Sequence, residues 1–384
     1  MRGLVGKLAL LVLAVGLTLV LAEGGLRLLS PGYSPLFLDI FQTDSHGLIR
    51  LQPGTQRRYV TAEWRITVAA NAEGLRDRDV PVADSGGTVL GVGDSFAFGW
   101  GVEFEEGYLT LAEEALRSGA VRIVKAGMPG AGPLDYAQFL DAYGDAYTPG
   151  AVVVSVFVGN DFADVQMGGF AGQFTVRGGL IVKATIEDEE TRRPPLLRRM
   201  TGYLKSHSLL AQQAAQALWL FEQTFQAPQE RVNPGLNAGD RWLWEFAKVH
   251  LRQSPPETER AFGLTTAALD RMADWCDARG VRLVLVIIPR SMQVYDWELT
   301  RWREAYRLTP DDLDLDRPQR VLTEWAELRA VPTLDLLPVF RDHARSSPGE
   351  RLYFYPNAHM NAAGHALTGR LLAPFLARAI PAPH

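Results

Sequence analysis

Three short apolar runs, each followed directly by polar residues, constrain the fold of this chain more than any other feature. They lie at residues 89–92, 121–126 and 151–158. The first and third runs are nearly uninterrupted, which is typical of strands that are covered on both faces of a parallel sheet. Segments of helical spacing separate the runs. This alternation predicts an α/β domain with a doubly wound parallel sheet, whose strands all end at one edge.

The same alternation resumes nearer the carboxyl terminus. Further strands and helices are predicted at residues 264–279, 281–288, 318–329, 331–336 and 362–379. The intervening stretch is predicted to be an insertion that forms a lid or a partner surface. We therefore divide the chain into a signal segment, an N-terminal arm, a first part of the α/β domain, the insertion and a second part of the domain, at residues 1–30, 31–86, 87–162, 163–261 and 262–384.

The amino terminus carries a membrane-directed segment. Residues 8–22 are mostly apolar, and the basic residues Arg2 and Lys7 precede them. The run is shorter than the roughly 20 residues that span a bilayer, and its end at Ala22 also fits a cleavage site, so a signal anchor and a signal peptide both remain open. The positive-inside rule places the rest of the chain outside the cytoplasm. We expect an inner-membrane-anchored protein facing the periplasm or exterior, or a secreted one.

Composition narrows the classes of function. The net charge of -5 and the lack of an extended basic cluster argue against nucleic acid as a partner. Cys276 is the single cysteine, so an internal disulfide is excluded. No Cys/His spacing resembles a structural zinc site, and nothing in the sequence indicates a metal or an organic cofactor.

The first strand end carries a serine in a setting that suits a nucleophile. Ser95 follows Gly93 and Asp94 directly, and Gly99 and Gly101 come after it. The glycines allow a tight turn and add little bulk, so the hydroxyl could lie exposed where open α/β sheets bind ligands. A serine here could equally cap the next helix, and the position alone leaves both interpretations open.

Four motifs in order along the chain together resemble the SGNH/GDSL hydrolase family. They are Gly-Asp-Ser at residues 93–95, Gly130, Gly-Asn-Asp at residues 159–161, and His-x-Asn-x-x-Gly-His from His359. The resemblance covers residues 88–161 and about 281–380, and it implies a flavodoxin-like three-layer α/β/α fold. Residues 71–77, just before the first strand, resemble the membrane-anchored bacterial members of this family.

The resemblance implies a serine esterase. Ser95 would be the nucleophile and His359 its general base, while the Ser95 N–H, the Gly130 N–H and the Asn160 amide would form the oxyanion hole. The implied substrates are small acyl esters, such as acetyl esters of cell-surface glycans. Transfer of the acyl group to an extracellular polysaccharide passes through the same acyl-serine, so an O-acyltransferase stays an alternative.

One position departs from the family pattern. The family usually carries an aspartate two or three residues before the histidine, whereas this chain has Asn357. Its amide oxygen can still accept a hydrogen bond from the imidazole, but it brings no charge. Slower catalysis by a Ser-His-Asn site is one interpretation. The other is a non-catalytic, membrane-tethered scaffold or binding protein on the same fold, an alternative that the aromatic residues of the insertion also motivate.

Overall fold

A computed structural model describes most of the chain outside the predicted insertion. The described residues are 2–29, 33–34, 39–61, 63–79, 87–116, 121–183, 204, 208–211, 213–214, 248–355 and 357–380. The pattern at residues 204–226 predicts a helix, and most of these residues lie outside the described ranges. So do the insertion tryptophans Trp219, Trp242 and Trp244, and the role predicted for the insertion stays a prediction.

The chain begins with helix α1, Arg2–Leu29. Among the described residues, no helix combines the length and the apolar character that crossing a membrane requires. The predicted membrane-spanning segment is therefore not supported. Near its end, the Glu23 carboxylate accepts hydrogen bonds from the backbone N–H groups of Leu209 and Leu210 at 3.0 and 3.1 Å.

Short strands make up the N-terminal arm. They are β1 (Tyr33–Ser34), β2 (Phe41–Thr43), β3 (Ile49–Leu51), β4 (Gln56–Val60) and β5 (Arg65–Ala69). Two antiparallel pairs form, β2 with β3 and β4 with β5. The alternating pattern at residues 59–69 predicts a strand or two here, and the structure resolves it into the β4–β5 pair. Arm residues such as Ile66 and Val68 lie in the same apolar cluster as Val124 and Val154 of the main domain.

The main sheet is parallel and open. The next strands along the chain are β6 (Thr88–Gly93), β7 (Arg122–Gly127), β8 (Ala151–Phe157), β9 (Phe174–Arg177), β10 (Leu180–Lys183), β11 (Arg282–Ile288) and β12 (Thr333–Asp335). The sheet has the order β12-β11-β8-β6-β7, and β9 and β10 pair separately as an antiparallel hairpin. All pairs in the sheet are parallel. The predicted doubly wound parallel sheet is confirmed, with strand bounds within about two residues of those predicted.

Helices cover both faces of this sheet. They are α2 (Ser95–Phe98), α3 (Tyr108–Leu116), α4 (Pro133–Tyr143), α5 (Asp161–Gln166), α6 (Gly169–Gln173), α7 (Pro256–Asp277), α8 (Ser291–Val294), α9 (Asp296–Tyr306), α10 (Arg317–Leu328), α11 (Leu337–Ser346) and α12 (Ala362–Ala379). Alternate residues of β8 serve the two layers. Val152 and Val154 pack in the cluster with α4, α7 and α10, and Val153 packs in the cluster with α3, α11 and α12. The result is three layers, α/β/α, as a strand buried on both faces requires.

Some elements differ from the sequence predictions. Helix α7 begins at Pro256, eight residues before the predicted start at 264, and its first turns bury Thr258 and Phe262. Helices α5, α6, α8, α9 and α11 were not predicted. Helix α9 contains no buried residue, so it carries no apolar stripe for periodicity to detect.

Candidate active site

Ser95 lies at the junction of β6 and α2. The Asp94 carboxylate caps this helix by accepting the N–H of Phe96 at 2.8 Å, which fixes the turn. Gly93 is required for the close packing here, because a Cβ on it would lie 2.8 Å from the Ala97 Cβ. Ser95 is half-buried as the first residue of α2, at the carboxyl edge of the sheet.

His359 lies in a tight reversal of the chain that we call the histidine hairpin, residues 353–355 and 357–360. Tyr353 and Met360 form an isolated antiparallel bridge, and the Phe354 N–H donates to the His359 carbonyl at 2.8 Å. Ala358 has a positive φ of 64°, which is unfavourable for a residue with a Cβ. The hairpin leads directly into α12, which Asn361 caps.

The two elements bring the serine and the imidazole into contact. Ser95 Oγ lies 2.8 Å from His359 Nε2, although 264 positions separate the residues in the chain. On the other side of the ring, His359 Nδ1 is hydrogen-bonded to Asn357 Oδ1. An amide oxygen can only accept, so Nδ1 carries the proton and Nε2 is free to accept from the Ser95 hydroxyl. This is the arrangement in which a histidine acts as a base.

The surroundings keep the imidazole neutral. The Phe96 ring stacks on it at 5.1 Å between centroids, and the Trp100 ring lies 6.4 Å away. Burial lowers the pKa of His359 to about 4, because a charged ring loses its hydration there. At neutral pH the ring can therefore accept a proton.

The predicted oxyanion donors lie on neighbouring loops. Strands β7 and β8 flank β6, so Gly130 and Asn160 follow strands that end beside Ser95. Gly130 has a φ of 78°, a conformation that favours glycine, and the Met128 N–H donates to the Gly93 carbonyl at 2.8 Å. The Asn160 amide donates one hydrogen to the Asp164 carboxylate, which leaves its second hydrogen available. Direct side-chain contacts join Ser95, His359 and Asn357. Gly130 and Asn160 lie at the same carboxyl edge of the sheet as Ser95.

Buried carboxyl groups lie beneath this edge. Asp94, Asp161 and Asp164 are at most 3% exposed, and burial raises the pKa of each, that of Asp94 to about 7. Asp161 accepts hydrogen bonds from the Tyr136 hydroxyl and the Phe157 N–H at 3.1 and 3.0 Å. In the described part of the chain, no group of His, Cys, Asp and Glu residues is arranged to hold a metal ion.

Sequence reasoning missed two arm residues near the site. Arg76 is 4% exposed, and its guanidinium donates to the carbonyls of Phe98, Gly99 and Val102 at 3.0, 2.6 and 2.8 Å. Glu63 contacts the histidine hairpin by accepting the Asn357 N–H. The motif at residues 71–77 drew attention to Arg76 without giving it a role. No local pattern distinguishes Glu63.

A large cavity lies elsewhere. Its volume is about 1040 Å³, and it is lined by the first residues of the parallel strands, including Thr88, Val121 and Arg282. These residues mark the amino-terminal edge of the sheet, opposite to Ser95. The cavity therefore does not contribute to the site at the carboxyl edge.

Comparison with protein-family models and with curated proteins gave no match. Among solved structures, an acetyl xylan esterase, AlAXEase, is 12% identical at a TM-score of 0.39, covering 77% of this chain and 100% of its own. The esterase EstA from Pseudoalteromonas sp. is 13% identical at a TM-score of 0.36, covering 76% and 96%. A lipolytic protein of the G-D-S-L family from Desulfitobacterium hafniense DCB-2 is 13% identical at 0.37, covering 75% and 99%.

Identities and TM-scores of this size carry no argument about activity. The site is instead defined by its own geometry. The parallel sheet positions Ser95, and the histidine hairpin brings His359 to it. In the motifs at residues 93–95, 130, 159–161 and 359–365 the chain resembles the SGNH/GDSL hydrolases.

Proposed function

We propose that the protein is a serine ester hydrolase that removes small acyl groups, such as acetyl, through an acyl-serine intermediate. The observation that carries the proposal is the 2.8 Å contact between Ser95 Oγ and His359 Nε2, with Asn357 on the far side of the ring. A nucleophile, a base within hydrogen-bond reach and a third group that orients the base are the parts that this chemistry needs.

In the first half-reaction, Ser95 Oγ attacks the ester carbonyl carbon while His359 Nε2 takes the hydroxyl proton. The carbonyl oxygen becomes an anion, which the Ser95 N–H, the Gly130 N–H and the Asn160 amide would stabilise. The intermediate collapses as the bond to the alcohol oxygen breaks. The imidazolium returns its proton to that oxygen, and the alcohol leaves.

In the second half-reaction, water or another hydroxyl compound attacks the carbonyl carbon of the acyl-serine and His359 takes its proton. The bond between that carbon and Ser95 Oγ then breaks, and the imidazolium returns the proton to Oγ. When water is the nucleophile, the acid is released and the reaction is hydrolysis. When a sugar hydroxyl takes the place of water, the same steps transfer the acyl group. We propose hydrolysis, because the half-buried Ser95 Oγ lies at an open edge of the sheet where water has access.

Asn357 sets the expected rate. In a serine protease triad, replacement of the aspartate by asparagine lowers kcat by roughly 10⁴, through the wrong tautomer. Here the amide oxygen faces Nδ1, so the tautomer is the productive one. The site lacks only the negative charge that would stabilise the imidazolium. The resulting decrease in kcat should therefore be well below 10⁴-fold.

The substrate and the location form part of the proposal. The rings of Phe96 and Trp100 lie beside His359, and Phe157 packs behind Phe96, an arrangement that favours a small acyl group over a long one. The apolar segment at residues 8–22 supports export, where acetylated cell-surface glycans would be the substrates. Fractionation of cells that produce the full chain tests the location.

The test of activity combines hydrolysis of p-nitrophenyl acetate with labelling by a fluorophosphonate. We expect turnover and a label on Ser95, with both lost in Ser95→Ala and both retained in Ser45→Ala, a matched change at an exposed serine. A folded wild-type protein that neither hydrolyses the ester nor accepts the label would favour the non-catalytic scaffold.

A further inference from the structure

The histidine hairpin holds an unfavourable conformation next to the reacting groups. Ala358, between Asn357 and His359, has a φ of 64°. For a residue with a Cβ this conformation is unfavourable, so the surrounding contacts must hold it in place. Such contacts must also fix Asn357 in the orientation in which its side-chain oxygen faces the imidazole.

The N-terminal arm supplies the contacts that hold the histidine hairpin. The Glu63 carboxylate accepts the backbone N–H of Asn357. Glu63 lies in a turn that is itself fixed, because Thr61 Oγ1 accepts the N–H groups of both Glu63 and Trp64 at 3.1 Å. The Trp64 ring packs 4.9 Å from the ring of Phe354, whose N–H bonds the His359 carbonyl.

The Glu63 carboxyl is placed at a cost. Its Oε1 atom is buried and has no hydrogen-bond partner within the described residues. An unpaired buried carboxyl oxygen is rare in folded proteins and needs a compensating role. Burial also raises the pKa of Glu63, while the Asn357 N–H opposes that shift.

We propose that Glu63 is a positioning residue for the Asn357–His359 pair. By holding the Asn357 backbone, the arm fixes the neutral side chain in the orientation that an aspartate would reach through its own charge. The arm thus completes the site from outside the α/β domain. This inference rests on the proposed esterase function.

Two substitutions separate a hydrogen-bonding role from a role in folding. Glu63→Ala removes the acceptor and should lower kcat by about 10- to 100-fold with little change in KM, since a misplacement of about 1 Å costs up to 10²-fold. Glu63→Gln keeps an acceptor oxygen and should stay within about threefold of wild type. Glu327→Ala, an exposed glutamate on α10, is the matched control.

A double-mutant cycle tests whether Glu63 acts through Asn357. In an Asn357→Asp background the carboxylate orients the ring by charge, so Glu63→Ala should cost much less than in wild type. An undiminished loss in that background, or equal losses for Glu63→Ala and Glu63→Gln, would overturn the proposal.

A second readout does not depend on turnover. The His359 Nδ1 proton should give a downfield NMR resonance in wild type and in Glu63→Gln, and the resonance should be lost in folded Glu63→Ala. If the wild-type protein shows no esterase activity but this pattern holds, the proposed function fails and the positioning role stands. A resonance that persists in Glu63→Ala contradicts the positioning role alone.

Discussion

The two sides of the site are held in different ways. On the serine side, residues 93–99 form a turn. The buried guanidinium of Arg76 donates hydrogen bonds to the carbonyls of Phe98 and Gly99 in this turn. On the histidine side, the hairpin has a strained Ala358 and meets the arm through Glu63 and through one ring contact. The serine is fixed by a buried cation, and the histidine by a neutral partner and few contacts.

The histidine side of the site is held less firmly than the serine side. Arg76 is 4% exposed, so its hydrogen bonds act in a medium of low dielectric constant and resist exchange with water. The histidine side is partly exposed and depends on the orientation of one amide. Substitutions on the serine side should therefore affect folding together with activity, whereas those on the histidine side should affect activity alone.

The largest effect should come from removing either reacting group. Ser95→Ala and His359→Ala should each lower kcat by at least about 10³-fold, because both take part in one proton transfer. The double variant should be no slower than the single ones. Hydrolysis of p-nitrophenyl acetate by all three proteins measures this, and additive losses would mean that the two sides do not act as a unit.

Removal of the oxyanion donor that follows β8 should have the next largest effect. Asn160→Ala should lower kcat by about 10²- to 10³-fold with a smaller change in KM, because its N–H would matter only when charge develops on the carbonyl oxygen. Steady-state kinetics on a short acyl ester test it. Wild-type kcat in this variant would remove Asn160 from the site while leaving Ser95 and His359 in place.

A substitution at Arg76 tests how strongly the serine side of the site is stabilised. Arg76→Met keeps most of the side-chain volume and removes the buried hydrogen bonds, so the free energy of unfolding should fall by roughly 3 kcal/mol or more. Denaturant melts measure the loss, with Arg65→Met, at an exposed arm residue, as the control. A loss below about 1 kcal/mol would mean that this side is no better fixed than the other.

Asn357 tests the histidine side. Asn357→Asp should raise kcat about tenfold, because a carboxylate stabilises the imidazolium that forms during attack. It should also move the acid limb of kcat/KM to higher pH, since a neighbouring negative charge raises the pKa of His359 from its value of about 4. Asn361→Asp, which keeps the cap of α12, should change neither quantity. An unchanged pH profile in Asn357→Asp would argue against contact with the ring.

The pH dependence of stability should reflect Asp94. Burial raises the pKa of Asp94 to about 7, above its ordinary value of 3.8. Between these two pH values, this carboxyl group therefore binds a proton in the folded state and loses it in the unfolded state. Its contribution to stability is complete below pH 4 and declines as pH rises towards 7. Asp94→Asn keeps the cap on Phe96 and should remove this decline. Equal pH dependence of unfolding in both proteins would contradict the shift.

Much of the α/β domain could be predicted from the sequence. Strands β6, β8 and β11 are mainly apolar runs buried on both faces, and such runs are visible without knowledge of their partners. In β7 the charged residues Arg122 and Lys125 interrupt the apolar run. The serine at the end of β6 follows from the same pattern. Helix α9 and the short α8 escaped prediction, because neither carries a long amphipathic period.

Local periodicity and turn chemistry specify the parallel sheet, the edge at which its strands end and the residue types placed there, so these features can be predicted from the amino-acid order. The tertiary structure alone decided that His359 meets Ser95 across 264 positions, that the Asn357 oxygen faces the ring, and that Arg76 and Glu63 of the arm reach the two sides. Contacts between residues far apart in the chain leave no periodic signal. They arise only when packing brings separate elements to the same edge.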